Sequence, residues 1–162
     1  MAPERSEVEE AHRKYLATRS RVEEGDLPWS ALAEHFTADA VYIDPAWGRI
    51  EGRDAILEFM DASMAGLDDW EFPEQWTMIE GDRVVSSWWN RLPGSRDDGT
   101  PYQALGISVM RYAGWGRFDY SHDLLNMAEV HELIADSGWS PSGGFNMPPG
   151  RPERDTSYPG RG

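Results

Sequence analysis

The sequence predicts an α+β fold, with helices packed on one face of a curved antiparallel sheet. Three observations predict it. The N-terminal part carries apolar residues at helical spacing in three segments, broken by Gly and Pro. The second half changes period to long alternating runs separated by turn-rich clusters. Between the two lies a strand-like run, Ala40-Val41-Tyr42-Ile43-Asp44, closed at once by Pro45-Ala46-Trp47-Gly48.

Residues 4–24 read as an amphipathic helix, with Val8, Ala11, Tyr15 and Val22 near helical spacing and Glu and Arg between them. Gly25-Asp26 ends it. Pro28 suits a helix start, and a short second helix follows through Leu32 and Phe36. A strand is expected at about 39–44. After Gly52, residues 54–64 form a third helix whose apolar side holds Ile56, Leu57, Phe59 and Met60. Residues 70–80, 83–92, 102–113 and 116–126 read as strands, with hairpin turns at Glu80-Gly81-Asp82 and Ala113-Gly114-Trp115-Gly116. The polar run Pro93 to Gly99 is a longer hairpin loop. A short helix at about 127–137 closes the domain, expected to span 1–138. Residues 139–162 turn to Pro, Gly, Ser and Arg, a tail with little capacity to form a core, although Phe145 and Met147 offer anchors.

Composition narrows the function. The formal net charge of −14, with no Lys/Arg cluster, argues against nucleic acid and anionic membrane surfaces. The absence of Cys excludes disulfides, thiolate catalysis and Cys-based zinc sites. No apolar run approaches the roughly 20 residues of a membrane span. The N-terminal Met-Ala-Pro-Glu-Arg-Ser-Glu has no apolar signal core, so a cytoplasmic location is expected. The histidines show no metal-ligand spacing, and no phosphate-binding glycine loop occurs; neither metal nor cofactor is expected. Eight Trp, six Tyr and five Phe are a heavy aromatic load; part of it is needed for core packing, and the excess of Trp also suits a deep cavity.

Asp44 is the leading candidate for chemistry. At a strand end beside Tyr42, it is a carboxylate among aromatic rings, which raises its pKa and fits it for general acid or base work. The competing role is structural, a cap on the turn into Trp47-Gly48. His122 titrates near neutrality and is the histidine best suited to move protons. His12, His35 and His131 fall on helical segments and suit packing or surface roles.

The segment LAEHFTADAVYIDPAWGRIEGRDAILEFM, with weaker support from GTPYQALGISVMRYAGWGRF, resembles the nuclear transport factor 2-like superfamily. That superfamily includes SnoaL-like polyketide cyclases, ketosteroid isomerases and limonene epoxide hydrolases. The resemblance covers roughly residues 5–137 and implies a cone-shaped sheet with the three N-terminal helices on its concave side. Against ketosteroid isomerases, Tyr15 matches a tyrosine that donates to the substrate oxygen and Asp44 the proton-moving aspartate. The position of their second, protonated acid is Ser108 here. Against limonene epoxide hydrolases, Tyr42 matches a pocket tyrosine, but Val85, Ser87 and Asn126 stand where the water-activating set belongs. SnoaL-like cyclases often carry His or Asp on the last strand, where this chain has His122 and Asp123.

The family alignment makes the His122 face concave and turns Asp123 away. It also places Tyr102 and Ser108 inward on their strand, where small Ala104 and Gly106 leave room for a ligand. The expected site is therefore Asp44, Tyr15 and His122 for catalysis. Tyr42, Trp47, Trp76, Trp89, Tyr102, Ser108 and Asn126 are expected to hold the substrate. The expected activity is cofactor-independent acid/base chemistry, such as isomerisation, cyclisation, dehydration or hydrolysis. A polyketide-, terpenoid- or steroid-like molecule would fit. Two alternatives remain open: a non-catalytic binding or dimerisation module, and a subunit docked through its tail. Relatives usually bury the sheet face against a twin, so a homodimer is expected.

Overall fold

The computed structural model describes residues 1–157. In chain order it contains α1 (Arg5–Glu23), a 3₁₀ helix (Trp29–His35), β1 (Phe36–Asp44), β2 (Gly48–Glu51) and α2 (Arg53–Met64). β3 (Glu74–Glu80), β4 (Arg83–Ser95), β5 (Pro101–Gly114), β6 (Arg117–Leu125) and α3 (Met127–Ser137) follow. The α+β class is as predicted. The second helix is a 3₁₀ turn that stops at His35, and Phe36 already belongs to the strand.

Six strands form one sheet in the order β2-β1-β6-β5-β4-β3. Its neighbours are antiparallel, except that β1 and β6 run parallel. β2 is absent from the sequence reading. It is only four residues long, and it exists because Asp44 caps a tight turn that folds Gly48–Glu51 back onto β1.

The main core lies between the concave sheet face and the first three helices. Val8 and Ala11 of α1, Leu32 of the 3₁₀ helix and Ile56 and Met60 of α2 meet Val84, Met110 and Phe118 of the sheet. A smaller core forms under α3, where Val130 and Leu133 cover Leu92 and Ala104. α1 is held by its buried stripe, since its outer face is lined with Glu and Arg.

The segment after α3 has no helix or strand, yet it is packed. The Trp139 ring meets that of Trp70 at 5.1 Å and its N–H reaches the Asp69 carboxylate at 3.1 Å. The Asn146 amide donates to the Ala62 carbonyl at 2.9 Å. Gly66 has no room for a Cβ, which would lie 2.7 Å from the Gly144 carbonyl oxygen. Further on, Asp155 accepts from the Arg49 backbone N–H at 2.6 Å and pairs with its guanidinium. The tail thus borders the domain core through aromatic and backbone contacts as far as Ser157. Residues 158–162 of the expected tail lie outside the described residues.

Candidate active site

A cavity of about 490 Å³ opens between the concave sheet face, the helices and the C-terminal segment. Rings of Tyr15, Trp29, Trp47, Phe59, Phe72 and Trp88 supply much of its wall. Among the polar groups on that wall, Tyr42, Ser108 and Asp123 are joined to one another by hydrogen bonds.

Asp123 on β6 is the centre of one network. The Tyr42 hydroxyl donates to Asp123 Oδ2 at 2.5 Å and the Ser108 hydroxyl to Oδ1 at 2.5 Å. The Trp88 indole N–H in turn donates to Ser108 Oγ at 2.9 Å. An indole N–H only donates, so Ser108 must spend its own hydrogen elsewhere, and Asp123 receives it. Burial raises the Asp123 carboxyl above its usual range, and the Ser108 and Tyr42 hydrogen bonds draw it part of the way back. Burial, and then the Asp123 charge, hold the Tyr42 phenol well above its ordinary value.

Asp44 is the second acid. Its Oδ1 accepts the backbone N–H groups of Ala46 and Trp47, both at 2.8 Å, while Oδ2 has no partner among the described residues. Burial first, and Asp123 second, push its pKa up to about 6; the two backbone bonds oppose the shift. Two carboxyls that disfavour each other's charge, one tied by hydroxyls and one with a free oxygen, can divide acid and base work. Tyr15 also faces the cavity. Its hydroxyl has no hydrogen-bond partner among the described residues, and burial raises its pKa to about 12, so it remains a neutral donor.

Of the expected site residues, the structure brings together Asp44, Tyr15, Tyr42, Trp47 and Ser108. The facing of β6 is corrected. Asp123 lines the cavity; His122 does not, and its Nδ1 lies 3.1 Å from the Tyr120 hydroxyl. The cause is a bulge. Opposite β5, Arg111 pairs with Tyr120 but Tyr112 pairs with Phe118, so Asp119 is an extra residue. Phe118 is buried in the core, and strict alternation from it selects His122, whereas the bulge passes the inward phase to Ser121 and Asp123.

Trp76 and Trp89 are also outside the cavity lining, and Trp76 is 47% exposed. The inward member of the Trp88-Trp89 pair is Trp88. Gly106 leaves room for that indole and not for a ligand, since a Cβ there would lie 2.5 Å from the Trp88 ring. Tyr102 packs instead against the core under α3, with the Arg96 guanidinium 4.8 Å from its ring centre. Asn126 caps α3, its side-chain oxygen facing the Glu129 N–H at 3.5 Å.

The sequence reading missed Trp88, Arg19 and Asn90, all on the cavity wall. Arg19 donates to the Phe72 carbonyl at 2.6 Å and lowers the Asp123 pKa by its charge. Asn90 is 3% exposed, and its amide nitrogen has no hydrogen-bond partner among the described residues; the Trp70 indole N–H is unpaired in the same way. An unpaired buried donor costs about 1–3 kcal/mol. Among the described residues no three His, Asp or Glu side chains come together to hold a metal ion.

A curved six-stranded sheet with helices packed on its concave face is a fold of the nuclear transport factor 2-like type. The SnoaL-like domain family matches residues 13–119, and the chain belongs to that family. No curated protein sequence matches the chain. Solved structures share the fold at low identity. A putative SnoaL-like polyketide cyclase from Jannaschia sp. CCS1 is 16% identical with a TM-score of 0.56, covering 76% of this chain and 92% of its own. A limonene epoxide hydrolase-like enzyme from M. tuberculosis is 17% identical with a TM-score of 0.60, covering 83% and 93%. A steroid delta-isomerase from Pseudomonas aeruginosa is 18% identical with a TM-score of 0.58, covering 85% and 93%.

Proposed function

We propose that this protein is a cofactor-independent enzyme that moves protons on an apolar, oxygen-bearing small molecule by isomerisation, cyclisation, dehydration or water addition. The observation that carries the reading is Asp44, a carboxylate lining an aromatic cavity, with a pKa of about 6 and an Oδ2 that has no partner among the described residues. A base of that strength is half-ionised close to neutrality, where proton abstraction is most efficient. Asp44 takes a proton next to a carbonyl, or from water. Tyr15 donates to the substrate oxygen as negative charge develops there. Asp123, whose carboxyl burial raises above its usual range, exchanges the second proton with the substrate, and the Tyr42 and Ser108 hydroxyls fix its orientation.

Ser108 stands where a ketosteroid isomerase-like site would carry its second acid. In this chain Ser108 donates to Asp123 on the adjacent strand, so an acid is present one strand away from the family position. The fold relatives include a steroid delta-isomerase, a putative SnoaL-like polyketide cyclase and an epoxide hydrolase, and this supports the class without choosing among them. The test is turnover of a panel of aromatic and alicyclic ketones and epoxides by the wild type, Asp44→Asn and Asp123→Asn. The reading requires loss of turnover in Asp44→Asn; retained turnover overturns the role of Asp44.

The proposal extends to assembly as a homodimer. Trp76, Met78, Leu105 and Leu124 are exposed on strands β3, β5 and β6. Trp76 and Met78 pair with Ser87 and Val85, and Leu105 pairs with Trp89, on the face turned away from the cavity. A second copy of this sheet face would cover them.

A further inference from the structure

Asn90 and Trp70, the two residues with an orphan buried donor, lie on the same stretch of the cavity wall. Glu71 and Arg91 exchange backbone hydrogen bonds at 2.9 Å, an antiparallel bridge that sets Trp70 opposite Leu92 and diagonal to Asn90. Both side chains line the cavity, and in both the N–H, itself closed off from solvent, lacks an acceptor among the described residues. Buried polar groups in folded proteins are nearly always paired, so two unpaired donors on one patch of cavity wall call for an acceptor from outside the chain.

We propose that Asn90 and Trp70 form a distal subsite that accepts a second oxygen of the substrate, remote from the reacting carboxyls. The inference rests on the small-molecule reading of the cavity, and it adds a substrate class: a largely aromatic molecule with oxygen functions at opposite ends. The indole N–H can only donate, so the distal group must be an acceptor, a carbonyl or an ether-type oxygen. The Asn90 amide can turn about its last side-chain bond between two favoured states and bring its NH₂ toward that oxygen. The span is consistent with such a ligand. Asp44 ends β1 and Asn90 sits on β4, three strand steps apart in the order β1-β6-β5-β4, or roughly 14 Å along the curved sheet. Between the two ends lie Ser108 and Asp123 together with a wall of rings, including Phe72 and Trp88 with centroids 6.0 Å apart.

The test uses a matched pair of fluorescent probes, 6-acetyl-2-naphthol and 6-ethyl-2-naphthol. They share a phenol for the carboxyl end and differ only in the distal carbonyl. Titration of the full chain is expected to show the acetyl probe bound roughly tenfold more tightly. Asn90→Leu and Trp70→Phe keep the volume but remove one donor each, and each is expected to shrink that preference. Asn90→Leu is also expected to raise the melting temperature of the free protein, because it deletes an unpaired buried donor. Asp44→Asn is expected to lose turnover but keep the preference, which separates failure of the subsite from failure of the acid/base reading. Equal affinity of the wild type for the two probes, binding of neither, or an unchanged preference in both subsite variants overturns the proposal. The wild-type comparison stands even if a variant does not fold.

Discussion

On the proposed function, Asp44 divides its two oxygens between fold and chemistry. Oδ1 caps the turn that creates β2, and Oδ2 is left for a ligand, so the structural and catalytic roles suggested by Asp-Pro are compatible. This makes Asp44→Asn an informative variant. The amide oxygen can keep both backbone bonds while the base is lost, and turnover is expected to fall about 10²–10⁴-fold. In the wild type, kcat/KM is expected to rise with pH through about 6, because the ionised form of Asp44 is the base. A flat profile from pH 5 to 8 on a proven substrate would contradict this. Stability moves in the opposite direction. The folded state holds the Asp44 proton more tightly than the unfolded chain, so stability is greatest below about pH 4 on this account and declines as pH rises through about 6. Asp44→Asn removes that decline, and urea denaturation at pH 8 should show the variant about 1–2 kcal/mol more stable.

At the scale of elements, β4, β5 and β6 are aligned to hand a hydrogen bond from one strand to the next. Trp88 pairs with Gly106 across the β4–β5 ladder, and the absence of a Cβ at Gly106 lets the indole lie over β5 and reach Ser108. Phe72 also packs against the indole, edge to face with centroids 6.0 Å apart, which limits its movement. Gly106→Ala is therefore expected to overpack the sheet and cost about 1–3 kcal/mol in chemical denaturation, with a shifted tryptophan emission. The unmodified Asp44 should retain its rising pH limb in that variant if the two acids can be perturbed separately. Asn126 shows the reverse case, a residue expected in the site that belongs to an element. Asn126→Ala is expected to cost about 0.5–1 kcal/mol through loss of the α3 cap and to leave the turnover rate unchanged.

At the scale of the whole molecule, one scaffold gives the sheet two faces with different tasks. The concave face holds the cores and the cavity; the opposite face leaves large apolar side chains uncovered. Sedimentation is expected to give twice the 18.3 kDa chain mass, and Leu105→Glu to halve it. A monomeric wild type would refute the dimer. The tail is a third component. Trp139, Pro141, Phe145 and Met147 all line the cavity, so removal of residues 140–162 is expected to weaken ligand binding while the sheet and helices persist in the circular dichroism spectrum.

Helices, long strands and hairpin turns were legible from periodicity and from Gly and Pro, because those signals are local. The family was legible from the Asp-Pro segment, and so were Asp44, Tyr15 and Tyr42, which lie near it in sequence or at a matching helix position. Asp123 was not, although it sits beside the chosen His122. Alternation states which residues share a face but not which face is inside, and a single extra residue at Asp119 reverses the answer. The sequence by itself determined the elements, the fold class and one acid. Tertiary structure alone decided the phase of β6, the partner acid and the unpaired donors at Asn90 and Trp70. Each of these depends on contacts between strands far apart in the chain, and no local pattern encodes such contacts.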